Sequence, residues 1–169
     1  MCIRDSIDDR LDDRLTTGTA IYRSWASMKT GVMIWLWYLN AIYWFALLYL
    51  SEPEAFWAII AYASTAPFIA VIAIRQRGLT RLSGFIHTPW LLFTIYLFLR
   101  LFTDVLGPAL TPEIDAVYYW WLQVVFWSTL VCVLLDIWDI ARWFNGERYV
   151  LGSVTAAMKG ASKLAKTAP

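Results

Sequence analysis

The sequence predicts an all-α, polytopic membrane protein, an antiparallel bundle of four transmembrane helices joined by short loops. Three observations carry that reading. Four apolar stretches of about 20 residues, at 31–50, 55–74, 85–102 and 116–138, fill most of the chain. A helix rising about 1.5 Å per residue crosses a hydrocarbon core of about 30 Å in that length. Composition agrees: 60% hydrophobic and 17% aromatic residues, with a mean hydropathy of +0.54, leave too little polar surface to cover a water-soluble globule. The charged fraction of 16% also falls below the roughly 25% of soluble domains. The third observation is where the charges sit. Thirteen of the fourteen Lys and Arg residues precede the first span, lie between the second and third, or follow the fourth. The other two loops carry Glu52, Glu54, Asp104, Glu113 and Asp115 and no cation. The positive-inside rule then predicts that both termini are cytoplasmic; an opening that reads like the start of an environmental sequence points to a bacterial inner membrane.

Residues 1–27 form no part of this bundle. Met1–Ser6 reads as a translated adapter, and a tandem Asp-Asp-Arg-Leu at 8–11 and 12–15 follows it. The segment is expected to be a non-native or disordered extension, poorly ordered or loosely helical, with Met28 as the native start; a genuine acidic cytoplasmic tail is the alternative. The transmembrane domain is predicted over 28–148.

Span 1 carries one central polar residue, Asn40. Ser51-Glu52-Pro53-Glu54 makes a tight connection, so spans 1 and 2 form a hairpin. Span 2 has Ala58, Tyr62, Ala66 and Ala70 at steps of four, a face of small residues on which a neighbouring helix packs closely. Pro67 frees a carbonyl in the same span and shapes it. Span 3 has two candidate starts: Thr88-Pro89 suits a helix N-terminus, whereas a continuous helix from Ser83 kinked at Pro89 gives a fuller span and is preferred. Near its outer end lies Arg100, the one cation that breaks the charge rule. Asp104, at i+4, is its expected partner at the interface; a buried role, pairing with another helix or holding an anionic group, is the alternative.

Span 4 carries a polar stripe. Ser128, Cys132, Asp136 and Asp139 recur on one helix face and run toward the cytoplasmic end, where Arg142 at i+3 can pair with Asp139. His87, at the cytoplasmic start of span 3, lies at a depth similar to Asp136, and such a pair can relay protons or respond to pH. Asn40 and Gln123 are expected to hydrogen-bond across helices. Trp35, Trp37, Trp57, the run 118–121, Trp138 and Trp143 sit toward span ends and predict aromatic belts at both interfaces. Beyond the last span, 149–169 reads as a cytoplasmic tail, either flexible or amphipathic. Lys159, Lys163 and Lys166 lie opposite Val150, Val154 and Met158, a pattern that suits an anionic lipid surface.

Several function classes lose support. A single His excludes a bis-His haem within one chain and a multi-His metal site, and Cys2 and Cys132 form neither a CxxC nor zinc spacing. No cofactor is implied. Nucleic-acid binding has no basic, aromatic-interleaved surface to rest on. Length and tryptophan content are similar to those of the tryptophan-rich sensory proteins, which have five spans. Four-span multidrug exporters are similar in size, but they depend on an embedded Glu in the first span, where this chain has only Asn40. Quinone-linked thiol oxidases need Cys pairs that are absent. The expectation is therefore a non-enzymatic accessory, assembly or scaffold component of a membrane complex, or a homo-oligomer. The alternative is a small transporter or proton-linked carrier in which Arg100, Asn40, His87 and Asp136 line one cavity. An enzyme acting on lipid or quinone is least supported, because neither a nucleophile with its base nor paired carboxylates are visible.

Overall fold

A computed structural model describes residues 17–76, 78–113 and 115–150. Every regular element among them is helical. The predicted lipid-binding tail lies outside the described residues from position 151 onward.

Part of the segment expected to be disordered or loosely helical is an α-helix, α1 (Thr17–Ala26), which buries Ser24 and touches the second apolar helix. Its few large apolar groups, Ile21, Tyr22 and Trp25, are too sparse for a span-length signal. Four helical stretches are long and apolar enough to cross a membrane: Thr30–Tyr49, Pro53–Arg75, Arg81–Phe102 and Ala116–Phe144.

The first joins α2 (Thr30–Trp44) to a 3-10 turn, Phe45–Tyr49. Three residues per turn place Ala46 and Tyr49 on one side, and both pack into the core. The second is α3 (Pro53–Arg75), begun by Pro53, whose missing N–H costs nothing in a first turn, and continuous through Pro67.

The third departs from the preferred reading of a continuous kinked helix. Arg81–His87 is 3-10, and the α-helix, α4 (Thr88–Phe102), starts only at Thr88. The cause is Pro89, which has no amide to offer the Phe85 carbonyl four residues back. The Thr88 amide bonds that carbonyl instead, in the i→i+3 pattern, and the Thr88 hydroxyl donates to it at 2.8 Å.

The fourth, α5 (Ala116–Phe144), runs past the predicted end at 138. The Asp115 carboxylate accepts the Tyr118 N–H at 2.9 Å and caps its start. At its end the Gly146 amide bonds Trp143 O and the Glu147 amide bonds Arg142 O, with Gly146 at φ +98°. This is a Schellman closure, and only a residue at ease with positive φ completes it.

The core is filled. Leu39, Tyr43, Ala46, Ala55, Ala58, Leu97, Leu122 and Val125 are essentially inaccessible. The Tyr43 ring stacks on Tyr62 and Trp90 at centroid distances of 5.4 and 4.8 Å. Large apolar side chains also cover the outside, among them Ile34, Trp37, Leu48, Leu92, Leu134 and Trp138. The belt reading needs one correction. Trp37, Trp57, Trp120 and Trp138 are exposed, but Tyr118 and Trp121 turn inward, and the Trp121 indole N–H donates to Ile42 O at 2.8 Å. A wide aromatic ring with one polar edge serves an interior carbonyl as well as it serves a headgroup.

Candidate functional site

The polar side chains fall into three groups along the helices. The first gathers on Glu54, in the opening turn of α3 and only 2% exposed. Arg100 Nε lies 2.7 Å from Glu54 Oε1, and the Tyr118 hydroxyl donates to Oε2 at 3.0 Å. The Tyr96 hydroxyl reaches Oε1 at 3.4 Å. Arg100 Nη1 also donates to the carbonyls of Leu106 and Pro108, at 3.2 and 3.3 Å, and so ties down the loop that follows α4. The expected Arg100–Asp104 pair does not form. Asp104 Oδ1 accepts the Ala109 amide within its own loop, at 3.1 Å, while the buried carboxylate takes the guanidinium. Arg100 thus takes the alternative role, pairing with another helix, through a Glu54 that the tight 51–54 connection did not single out. The available signal was an unmatched cation in span 3 and an acid just after Pro53, both near the same membrane face.

The middle group is made of neutral pairs. Tyr62 donates to Asn40 Oδ1, linking α3 to α2, while Asn40 Nδ2 bonds Leu36 O one turn back. Tyr38 and Ser128 share a hydrogen bond of 2.7 Å, and Tyr43 and Thr129 one of 3.1 Å. Gln123, expected to bridge helices, instead donates to the Tyr119 hydroxyl on its own helix, because a partner four residues back is already within reach. The small-residue face is also displaced. Ala58 is buried with Ala55 and Ala61, whereas Ala66 and Ala70 are exposed. The buried face of α3 runs through Glu54, Ala55, Ala58 and Ala61 in its first half and returns only at Ala73.

The third group lies about 20 Å from the first by helical rise, at the start of α4. His87 Nδ1 is 2.7 Å from Asp136 Oδ2, so the structure brings together the two residues paired from sequence. Cys132 Sγ is 3.8 Å from the same oxygen. Gly84 makes the approach possible: a Cβ there would stand 3.1 Å from Asp136 O and 3.2 Å from Asp136 Cβ. The Trp90 ring packs on the imidazole at 4.3 Å between centroids. One turn further along, Asp139 pairs with Arg81 and not with Arg142. Arg142 turns to Glu147 at 2.7 Å, and Arg81 Nε reaches the same carboxylate at 2.9 Å. The Arg142 guanidinium, with Arg81 beside it, holds the Glu147 carboxyl below the usual carboxylate range. The Schellman turn at Gly146 is what swings Glu147 back to meet both cations.

Asn40 and His87 line one crevice of about 240 Å³, together with Trp25, Tyr62 and Trp90. Arg100 does not line it. Two larger grooves, of about 310 and 490 Å³, run between α3 and α4 and between α4 and α5, and their walls are almost wholly apolar.

Comparison with protein-family models, curated proteins and solved structures finds no match. The class of protein therefore rests on the fold alone: an all-helical chain with four helices long and apolar enough to span a membrane.

Proposed function

We propose that this chain is a multi-pass protein of a bacterial inner membrane. In that reading it is an antiparallel four-helix bundle with both termini in the cytoplasm, and it acts as a non-enzymatic accessory, assembly or scaffold component of a membrane complex or as a homo-oligomer. The observation that carries this reading is the contrast between inside and outside. The interior is packed with side chains such as Tyr43, Leu97, Leu122 and Val125, and its acids meet partners, while large apolar groups such as Ile34, Trp37, Leu48, Leu92 and Leu134 stand exposed on the surface. A surface of that kind suits lipid and neighbouring transmembrane helices, where close packing and interhelical hydrogen bonds drive association. The Glu54–Arg100 and His87–Asp136 pairs support the antiparallel arrangement, since each joins the start of one helix to the end of another. A basic tail at 159–166 adds attraction to anionic lipid on the cytoplasmic side. Crosslinking in intact membranes, followed by mass measurement in mild detergent, tests the proposal. A discrete complex or oligomer is expected, and a strictly monomeric particle without a partner overturns it.

A carrier is the second reading, favoured by the crevice that Asn40 and His87 share next to Asp136. It no longer includes Arg100. Uptake into proteoliposomes that is abolished by Asp136→Ala would favour it over the scaffold.

A further inference from the structure

We propose that His87, Cys132 and Asp136 form a binding site for one divalent, borderline-soft metal ion of the zinc class. An imidazole nitrogen, a sulfur and a carboxylate oxygen, one from each residue, lie within 4.8 Å of one another. A thiol, an imidazole and a carboxylate together are a donor set that suits zinc better than magnesium or calcium, which take oxygen alone. With bonds of about 2.0–2.3 Å, neighbouring ligand atoms in a tetrahedral zinc site stand roughly 3.3–3.8 Å apart. The sulfur and the carboxylate oxygen already do so, at 3.8 Å. His87 and Asp136 are closer, at 2.7 Å, because a hydrogen bond joins them. Replacing the proton of that bond with an ion requires the two side chains to part by less than about 1 Å.

Charge balance argues the same way. Thiolate and carboxylate carry two negative charges, so a divalent ion with a neutral imidazole makes a centre of net zero charge. That is the form least penalised where solvent is scarce, and Cys132 is 7% exposed, with the side chains of His87 and Asp136 at 16% and 19%. On binding, the Cys132 thiol gives its proton to solvent, and the His87 proton moves from Nδ1 to Nε2 so that a neutral imidazole ligates through Nδ1; no electron moves. The surroundings supply a further observation. The Trp35 indole nitrogen is buried, and the one acceptor assigned to it among the described residues is the Cys132 sulfur. An N–H donor next to a neutral thiol gains little, whereas next to a metal-bound thiolate it is an outer-shell hydrogen bond of the kind that tunes such sites. Three protein ligands leave a fourth position for water or an exogenous group.

Sequence spacing could not declare this site, because His87 and Asp136 are 49 residues apart. The ion would clamp the 3-10 turn Arg81–His87 onto α5, and this clamp stands or falls independently of any partner. The test uses the full chain in detergent, without an affinity tag and with Cys2→Ser, so that Cys132 is the sole thiol. Cobalt(II) is titrated in, then zinc. The expected result is one cobalt per chain with a thiolate-to-metal charge-transfer band, displaced by zinc, and a zinc-induced rise in melting temperature. Cys132→Ser should abolish the band, and His87→Gln and Asp136→Asn should each weaken binding at least tenfold. X-ray absorption of the zinc-loaded Cys2→Ser chain, which does not depend on those variants folding, should find one sulfur at about 2.3 Å. Absence of the band, its persistence in Cys132→Ser, or a zinc shell without sulfur overturns the assignment.

Discussion

Arg100 and Glu54, 46 residues apart in the chain, meet at 2.7 Å, with the carboxylate only 2% exposed. The pair joins the last turns of α4 to the first turn of α3, and Tyr118 brings in the start of α5 through the second carboxylate oxygen. Three of the four membrane-length stretches are thus held at one acid. Removing one partner of a buried pair leaves the other charge uncompensated, at a cost of about 3–5 kcal/mol, whereas replacing both with apolar groups is far milder. Arg100 is 18% exposed and has two carbonyl acceptors besides, so its loss of partner is cushioned. Glu54→Gln should therefore cost about 2–3 kcal/mol and Arg100→Met somewhat more, since it leaves the better buried group unpaired. The double variant Glu54→Leu with Arg100→Met should recover much of the loss. Denaturant unfolding in detergent micelles, arranged as a double-mutant cycle, reads the coupling; additive single effects would contradict it.

Gly84→Ala should destabilise by roughly 1–3 kcal/mol, the range for overpacking a close contact. The new methyl group would stand 3.1–3.3 Å from backbone and Cβ atoms of Asp136, none of them the flexible end of a side chain. Relief requires the 3-10 turn to move off α5, which lengthens the His87–Asp136 contact. The melting temperature gives the cost. Exchange of the amides around His87, faster in the variant, localises it.

What the sequence made legible follows from how local each signal is. Hydropathy is local, and so is the turn-forming chemistry of Ser51-Glu52-Pro53-Glu54. The four stretches could be read from them, with several of their ends misjudged by a few residues. The His87–Asp136 contact was within reach because depth in a bilayer can be counted along each helix. Glu54 was not, because burial of an acid depends on a guanidinium supplied by a distant segment, and its neighbours in sequence look like a turn. The 3-10 form of Arg81–His87 was hidden for another reason. It turns on which carbonyl the Thr88 amide selects once Pro89 has removed the usual donor. Gln123 and Asp139 were placed on the correct helix, but helix position alone does not say that the first meets Tyr119 and the second Arg81.

Glu147 should confer an acid sensitivity on the end of α5. Its carboxyl is held below the usual carboxylate range, chiefly by the hydrogen bond from Arg142, with Arg81 adding to it. A group depressed in the folded state contributes stability that is fully present above its unfolded value and is lost as pH falls through its folded value. Between those two values the closure around Gly146 should loosen progressively on acidification. Asp139, which shares Arg81, and Tyr149, whose hydroxyl reaches Glu147 at 3.4 Å, face the same group and must be varied alongside. Proteolysis at 145–150 as a function of pH measures the effect. Glu147→Gln should cleave readily at neutral pH and lose the acid-dependent increment. High salt should weaken the wild-type effect, because the carboxylate is a third exposed.

The proposed orientation makes the sharpest prediction outside the bundle. Arg75, Arg77 and Arg81 sit between the second and third stretches, whereas Glu52, Asp104 and Glu113 sit in the other two connections. A reporter active only outside the cytoplasm should be silent when inserted near Gly78 or after Arg148 and active when inserted at Ser51 or Pro112. Because positive charges set orientation and acids contribute little, Glu52→Gln and Glu113→Gln together should leave the pattern intact. Moving the cations is different: Arg75, Arg77 and Arg81 changed to Ser, with Lys introduced at 52 and 113, should yield chains of both orientations. A reporter active at Gly78 in the unaltered chain would invert the arrangement and put the His87, Cys132 and Asp136 cluster on the opposite side of the membrane.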